Sequence, residues 1–119
     1  MKRVPGQRYD FFLFEMRDAL ERIILYADGI ETVTEFSANG LHRDAMIRNF
    51  EILGECVKHI PFRFQKRFPH IPWSQMLFLR NFIVHEFFDI DDAIIWAIVQ
   101  TDLRKNLIDF NHMLSEHKN

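Results

Sequence analysis

The chain has 119 residues, 48% of them apolar, with 13 Phe but only 4 Gly and 4 Pro, and a formal net charge of −2 with His neutral. That length fits one domain, residues 1–119, and so few Gly and Pro argue against a turn-rich β-sandwich and for an all-α helical bundle. The slightly acidic balance excludes a nucleic-acid binder that works by bulk charge, so any contact with RNA has to be local.

In chain order, Met1 to Gly6 carries Lys2 and Arg3 with no apolar run behind them, and the apolar stretch at Phe11–Phe14 stops at Glu15. Neither a signal peptide nor a membrane span is expected, and a cytoplasmic protein is. A first helix is predicted from about Tyr9 to Ala27, where Phe12, Met16, Ala19, Leu20, Ile23, Ile24 and Ala27 recur at three and four spacing. Asp28-Gly29 ends it, because Gly supplies a left-handed cap. Thr32-Val33-Thr34-Glu35 reads as a capping box opening a short helical turn, which Asn39-Gly40 breaks. A second long helix follows, about Leu41 to Ile60, with Ala45, Ile47/Arg48, Ile52, Cys56 and His59/Ile60 marking its inner side. Cys56 is the single cysteine, so no intramolecular disulfide can form, and it reads as a small core residue. Pro61 sits where a short helix could start. Phe68 to Pro72 is a rigid connection, and Pro72 opens a helix from Trp73 to about Phe88. Asp89 or Asp91 can cap a last helix running to about Leu114, with Ile94, Ile95, Ile98, Leu103, Leu107 and Phe110 in its core stripe. The expectation is four main helices plus short ones, packed up-and-down and antiparallel.

The residues that carry chemistry lie in Arg80-Asn81-Phe82-Ile83-Val84-His85. At about 100° per residue, Asn81 and His85 share a helical face, while Arg80 and His85 stand about 140° apart. That angle suits a helix lining a groove, and suits better a groove completed by a two-fold copy. The trio fits phosphodiester cleavage in RNA. Arg offers a fork of donors to a phosphate and stays charged. His passes a proton near neutral pH. Asn can orient either group or the ribose hydroxyl. No metal or other cofactor is needed. Such polar groups in a helix of Leu77, Phe78, Leu79, Phe82, Ile83, Val84, Phe87 and Phe88 need partners or a polar cleft.

Glu51, Glu55 and His59 follow at four spacing, but a di-metal bundle wants Glu-x-x-His, so no metal site is expected. Glu55 reads instead as a polar group near a close helix contact at Gly54, pairing with Arg80 or Arg48. Trp73 and Trp96 read as core anchors, and His42, His70, His112 and His117 as exposed. Arg63, Lys66 and Arg67 form a solvated face that could help hold an RNA backbone.

The ordered set of motifs resembles the HEPN superfamily, in its HepT-like branch. Arg80 to His85 matches that superfamily's Arg, polar residue, spacer, His signature. Arg48 to Glu55 is similar to the branch's Gly-Glu-bearing second helix. Phe68 to Trp73 is similar to its Pro-x-Ile-Pro-Trp entry to the motif helix, and Phe88 to Asp91 with Trp96 to its turn and last helix. The resemblance runs from about Asp10 to Leu114. It implies a helical bundle that dimerises through the motif helices, which meet at a composite cleft. It implies a metal-independent endoribonuclease acting as a toxin, with RNA as substrate. A small nucleotidyltransferase is the implied antitoxin, able to adenylylate a tyrosine two residues after the motif His. Here that position is Phe87, which has no hydroxyl, so modification there is excluded although Arg80 and His85 remain. The alternatives left open are a catalytically silent module that binds a nucleotide or a nucleotidyltransferase, and a helical dimer whose polar motif only fixes packing.

Overall fold

In the computed structural model, which describes residues 9–118, every element is helical. The reading of Met1–Gly6 lies outside the described residues. The elements are α1 (Asp10–Ala27), α2 (Val33–Ala38), α3 (Gly40–Val57), α4 (Phe62–Arg67), α5 (Trp73–His85), a 3₁₀ turn (Phe87–Asp89), α6 (Asp92–Thr101) and α7 (Leu103–Lys118). The expected bundle is therefore present. Helix α3 is its centre, packed along α1 on one side and α5 on the other, while α7 lies on α1. The core runs from Leu13, Met16 and Leu20 of α1 through Met46, Phe50 and Leu53 of α3 to Trp96, Phe110 and Met113.

The local signals act as their chemistry requires. Gly29 takes φ +84 after α1, a conformation only Gly adopts without strain. Thr32 Oγ1 accepts the Glu35 amide at 3.1 Å and caps α2. Asp91, of the two candidates, caps α6 by accepting the Ala93 amide at 2.9 Å.

Other expectations need correction. The inner side of α3 is wider than the one drawn in the sequence. Ile47, Cys56 and Ile60 are buried as drawn and Met46, Phe50, Leu53 and Val57 join them, while Ala45 and Ile52 are half-buried and Arg48 and His59 are exposed. Ile94 is exposed as well, and Ile95 and Trp96 take the inward places. The last helix is two helices, α6 and α7, parted at Asp102. Thr101 Oγ1 donates to the Ala97 carbonyl at 2.7 Å just before the break, and this back-bonding is known to bend helices. The motif helix ends at His85, with Glu86 at φ −126, and the chain goes on as a tighter 3₁₀ turn. His117 is not exposed: it bonds Asp10 Oδ1 at 2.8 Å and ties the end of α7 to the start of α1. Among the described residues no helix is long and apolar enough to cross a membrane.

Candidate functional site

Helix α5 is anchored at its start and free along its outer side. Trp73 Nε1 donates to the Phe68 carbonyl at 2.9 Å, which pins the Pro-rich connection to the first turn. Trp73, Met76 and Ile83 face the core, while Ser74, Phe78, Asn81 and His85 face outward. Phe78 is 71% exposed. A helix with α3 as its main neighbour leaves this outer face uncovered.

Arg80 sits where α5 crosses α3 at Gly54. A Cβ at Gly54 would overlap the Arg80 Cβ and lie 2.6 Å from the Met76 carbonyl oxygen, so only Gly permits this approach. The stem of Arg80 is thereby packed and its guanidinium is steered to the surface. There Nη2 donates to Glu55 Oε1 at 2.9 Å and Nη1 donates to Asn81 Oδ1 at 2.9 Å. The Arg80 side chain is only 20% exposed. A guanidinium has five donors, so these two bonds leave others for an anion.

Glu55 collects cations. Its second oxygen is 3.4 Å from Lys58 Nζ and 3.8 Å from His59 Nε2. Partial burial alone would raise its carboxyl, but Lys58 and Arg80 outweigh that and hold it below the usual carboxylate range. Glu55 is thus an anion bonded to Arg80. A cavity of about 290 Å³ opens beside the pair, lined by Arg48, Glu51, Ile52, Glu55, Cys56 and Arg80.

His85, the last residue of α5, is exposed and makes no hydrogen bond or ion pair among the described residues. Its ring is therefore available to a ligand. Phe87, 49% exposed, stands edge-on to Phe88 in the 3₁₀ turn, with ring centres 5.5 Å apart; Phe88 itself is 98% exposed. The site end of α5 is a cation, a free imidazole and an uncovered apolar rim.

The sequence pattern of the ribonuclease HepT-like family matches residues 16–113. The chain belongs to that family. It is 36% identical over 94 residues to a protein of Methanocaldococcus jannaschii named as a candidate RNase, covering 79% of this chain and 85% of the relative. It is 34% identical over 96 residues to the probable ribonuclease HepT of Thermococcus cleftensis, covering 73% and 84%. A further candidate RNase, from Caldanaerobacter subterraneus, is 32% identical over 101 residues, covering 85% and 86%. No solved structure matches the chain.

Of the residues drawn from the sequence of this HepT-like chain, Arg80, Asn81 and Glu55 come together as one bonded group. Arg48 lines the same cavity but leans on Glu51 at 3.9 Å and not on Glu55. Asn81 shares a face with His85 yet spends its oxygen on Arg80. Sequence reasoning missed Lys58 and the use of His59. The His59 ring stacks on Phe12 of α1 at 4.1 Å and 8°, and so reaches Glu55 from a fixed position. The signal for it, Glu55 and His59 four apart on one helical face, is in the sequence, where it serves only to weigh a metal site and set it aside. Among the described residues no group of three or more His, Cys, Asp or Glu side chains gathers to hold a metal ion.

Proposed function

We propose that this chain is a metal-independent endoribonuclease, the toxin of a pair whose antitoxin is a small nucleotidyltransferase, and that it works as a homodimer in the cytoplasm. Residues 1–119 form its single helical domain. The observation that carries the reading is Arg80, packed over Gly54 and held by Glu55 and Asn81, one helical turn and a fraction before an unpartnered His85. The names of the related proteins support RNA as the substrate class.

The chemistry uses attack by the RNA's own 2′-hydroxyl. An imidazole accepts the hydroxyl proton as the 2′-oxygen bonds to phosphorus. The bond from phosphorus to the 5′-oxygen breaks, and a second acid protonates that leaving oxygen. A 2′,3′-cyclic phosphate and a 5′-hydroxyl result. His85 acts in one of these proton transfers, worth about 10²–10⁴-fold. His85 of the partner subunit acts in the other when the His85 ends of the two α5 helices meet about a two-fold axis. Arg80 faces the phosphate oxygens where charge builds up. The exposed Phe87 and Phe88, beyond the last turn of α5, supply the apolar cover of that interface.

His85→Ala and Arg80→Ala should each abolish cleavage while circular dichroism and mass in solution stay unchanged. EDTA should leave the wild type active. A wild type that cleaves RNA as well after His85→Ala removes the assignment. A specific observation favours a second reading: Phe87 stands where the family's modifiable tyrosine would be, so the antitoxin must act by binding alone, or the chain is a silent partner module. Tight binding of a co-encoded nucleotidyltransferase with no cleavage of RNA by the free protein would select the silent module.

A further inference from the structure

Between Cys56 and His85 there is no Asp or Glu, while Lys58, Arg63, Lys66, Arg67 and Arg80 all fall there. The chain as a whole is at −2, so its acid excess lies in the other segments. This stretch is the end of α3, all of α4 and all of α5. Arg63, Lys66 and Arg67 are exposed, and among the described residues none of them pairs with a carboxylate. An acid one turn away can pair with an exposed helical cation, as Asp109 does with Lys105 in α7. On α4, Lys66 and Arg67 lie against rings instead. Lys66 Nζ is 5.3 Å from the centre of Phe62, and the Arg67 guanidinium is 5.5 Å and 5.3 Å from Phe64 and Phe68. Phe62 is 70% exposed.

A cavity of about 330 Å³ lies between α4 and the start of α5, with Phe62, Lys66, His70, Ser74 and Gln75 among its lining. Ser74 is on the same α5 face as Asn81 and His85: the three fall within about 40° of one another, and the span from Ser74 to His85 is about 16 Å. The cavity and the Arg80–His85 site therefore stand at the two ends of one exposed helix face.

We infer that α4 and this cavity are a subsite for the backbone of single-stranded RNA, away from the bond that is cut. The inference deepens the ribonuclease reading and takes its substrate class from it. Cations without acid partners are what a polyanion needs, since each phosphate contact releases counterions. An exposed ring beside them suits stacking of a base without regard to sequence. About 16 Å is the rise of roughly five stacked nucleotides at ~3.4 Å each. The subsite thus gives affinity that grows with RNA length.

The test measures binding of labelled single-stranded RNAs of about 4 and about 16 nucleotides, the range one such groove occupies, by fluorescence anisotropy at several salt concentrations. His85→Ala is the background, so that the RNA stays intact. The long RNA should bind on the order of tenfold more tightly than the short one. Adding Lys66→Gln with Arg67→Gln should remove most of that gain and flatten the slope of log Kd against log salt by about 1.4, at ~0.7 per contact. Arg104→Gln with Lys105→Gln, which takes the same charge from α7, should keep both gain and slope. The proposal is overturned if the α4 variant keeps the gain, or if the α7 variant loses as much. It is also overturned if poly-glutamate of matched charge displaces the long RNA as well as unlabelled RNA does, since the surface then belongs to an acidic protein. Length-dependent binding that needs Lys66 and Arg67, in a protein whose wild type cuts nothing, upholds the subsite and removes the nuclease reading.

Discussion

Gly54→Ala is the sharpest probe of how the fold positions the site. In a solvent-exposed helix this exchange would stabilise by about 1 kcal/mol. Here the new methyl meets the Cβ of Arg80 and the Met76 carbonyl oxygen at 2.6 Å. Neither is the far end of a flexible side chain, so the overlap is relieved only by moving α3 and α5 apart. Overpacking of this kind costs about 1–3 kcal/mol. The net expectation is a loss of about 0–2 kcal/mol, or a fall in Tm of up to about 8 °C at ~4 °C per kcal/mol. The effect on activity should be larger than the effect on stability. Separation of the helices carries Arg80 away from Glu55, and a misplacement of about 1 Å can cost about 10²-fold in rate. Urea denaturation and RNA cleavage on the same preparation give both numbers. A variant more stable than the wild type and fully active would mean that the close approach at Gly54 does not position Arg80.

Arg43 Nη2 and Asp92 Oδ1, 2.9 Å apart, join α3 to α6 with both side chains about one-fifth exposed. The hydrogen bonds from Arg43 hold the Asp92 carboxyl below its ordinary value, so its stabilisation is present above the unfolded pKa of ~3.9 and is lost as pH falls through the lower folded value. Asp92→Asn should cost on the order of 1 kcal/mol at pH ~6 and progressively less below pH ~4, read from denaturation midpoints; a cost independent of pH would refute the pairing. Incubation with ATP and a cognate nucleotidyltransferase should leave no AMP on residues 80–91, which contain no Tyr, Ser or Thr; mass spectrometry of that peptide decides it. Light scattering at micromolar protein should give the mass of two chains, and a monomer would remove the composite cleft. Burial pushes the Cys56 thiol up to about 12, so it should resist thiol reagents at neutral pH until the protein unfolds, and prompt labelling of the folded chain would contradict its packing.

The parts of this fold that were legible in the sequence are those fixed by local chemistry. Gly29, Thr32, Asp91 and Pro72 mark helix ends because a positive φ, a side-chain oxygen or a missing N–H acts within a few residues. The parts that were not legible depend on partners far along the chain. Which side of α3 turns inward is set by two neighbours, α1 and α5, and apolar residues occur nearly all round it, so the stripe admits more than one rotation. The end of α5 at His85 has no Gly or Pro to announce it. At the site, the pairing of Glu55 with Arg80 was one of two options in the sequence, and the choice is made by the Gly54 crossing, which brings Arg80 onto α3 while Arg48 points outward to Glu51.

That choice has a consequence for how the site handles charge. An arginine held by a carboxylate loses part of its field, and a free arginine is costly to order when a ligand arrives. Glu55 settles the first cost by being shared: Lys58 and His59 face its second oxygen, so the group of four side chains is not neutralised by the one acid. Asn81 limits the second cost, since it fixes the other guanidinium nitrogen without bringing a charge. On the proposed mechanism, the remaining donors of Arg80 are then aimed before a phosphate arrives. Glu55→Gln would keep the hydrogen bond but lose the anion, and Glu55→Ala would lose both. If aim matters more than charge, Gln at this position retains most of the cleavage rate and Ala loses about as much as Gly54→Ala does. If the carboxylate is itself a proton acceptor in the reaction, both variants fall equally, and the role assigned to Glu55 here is wrong.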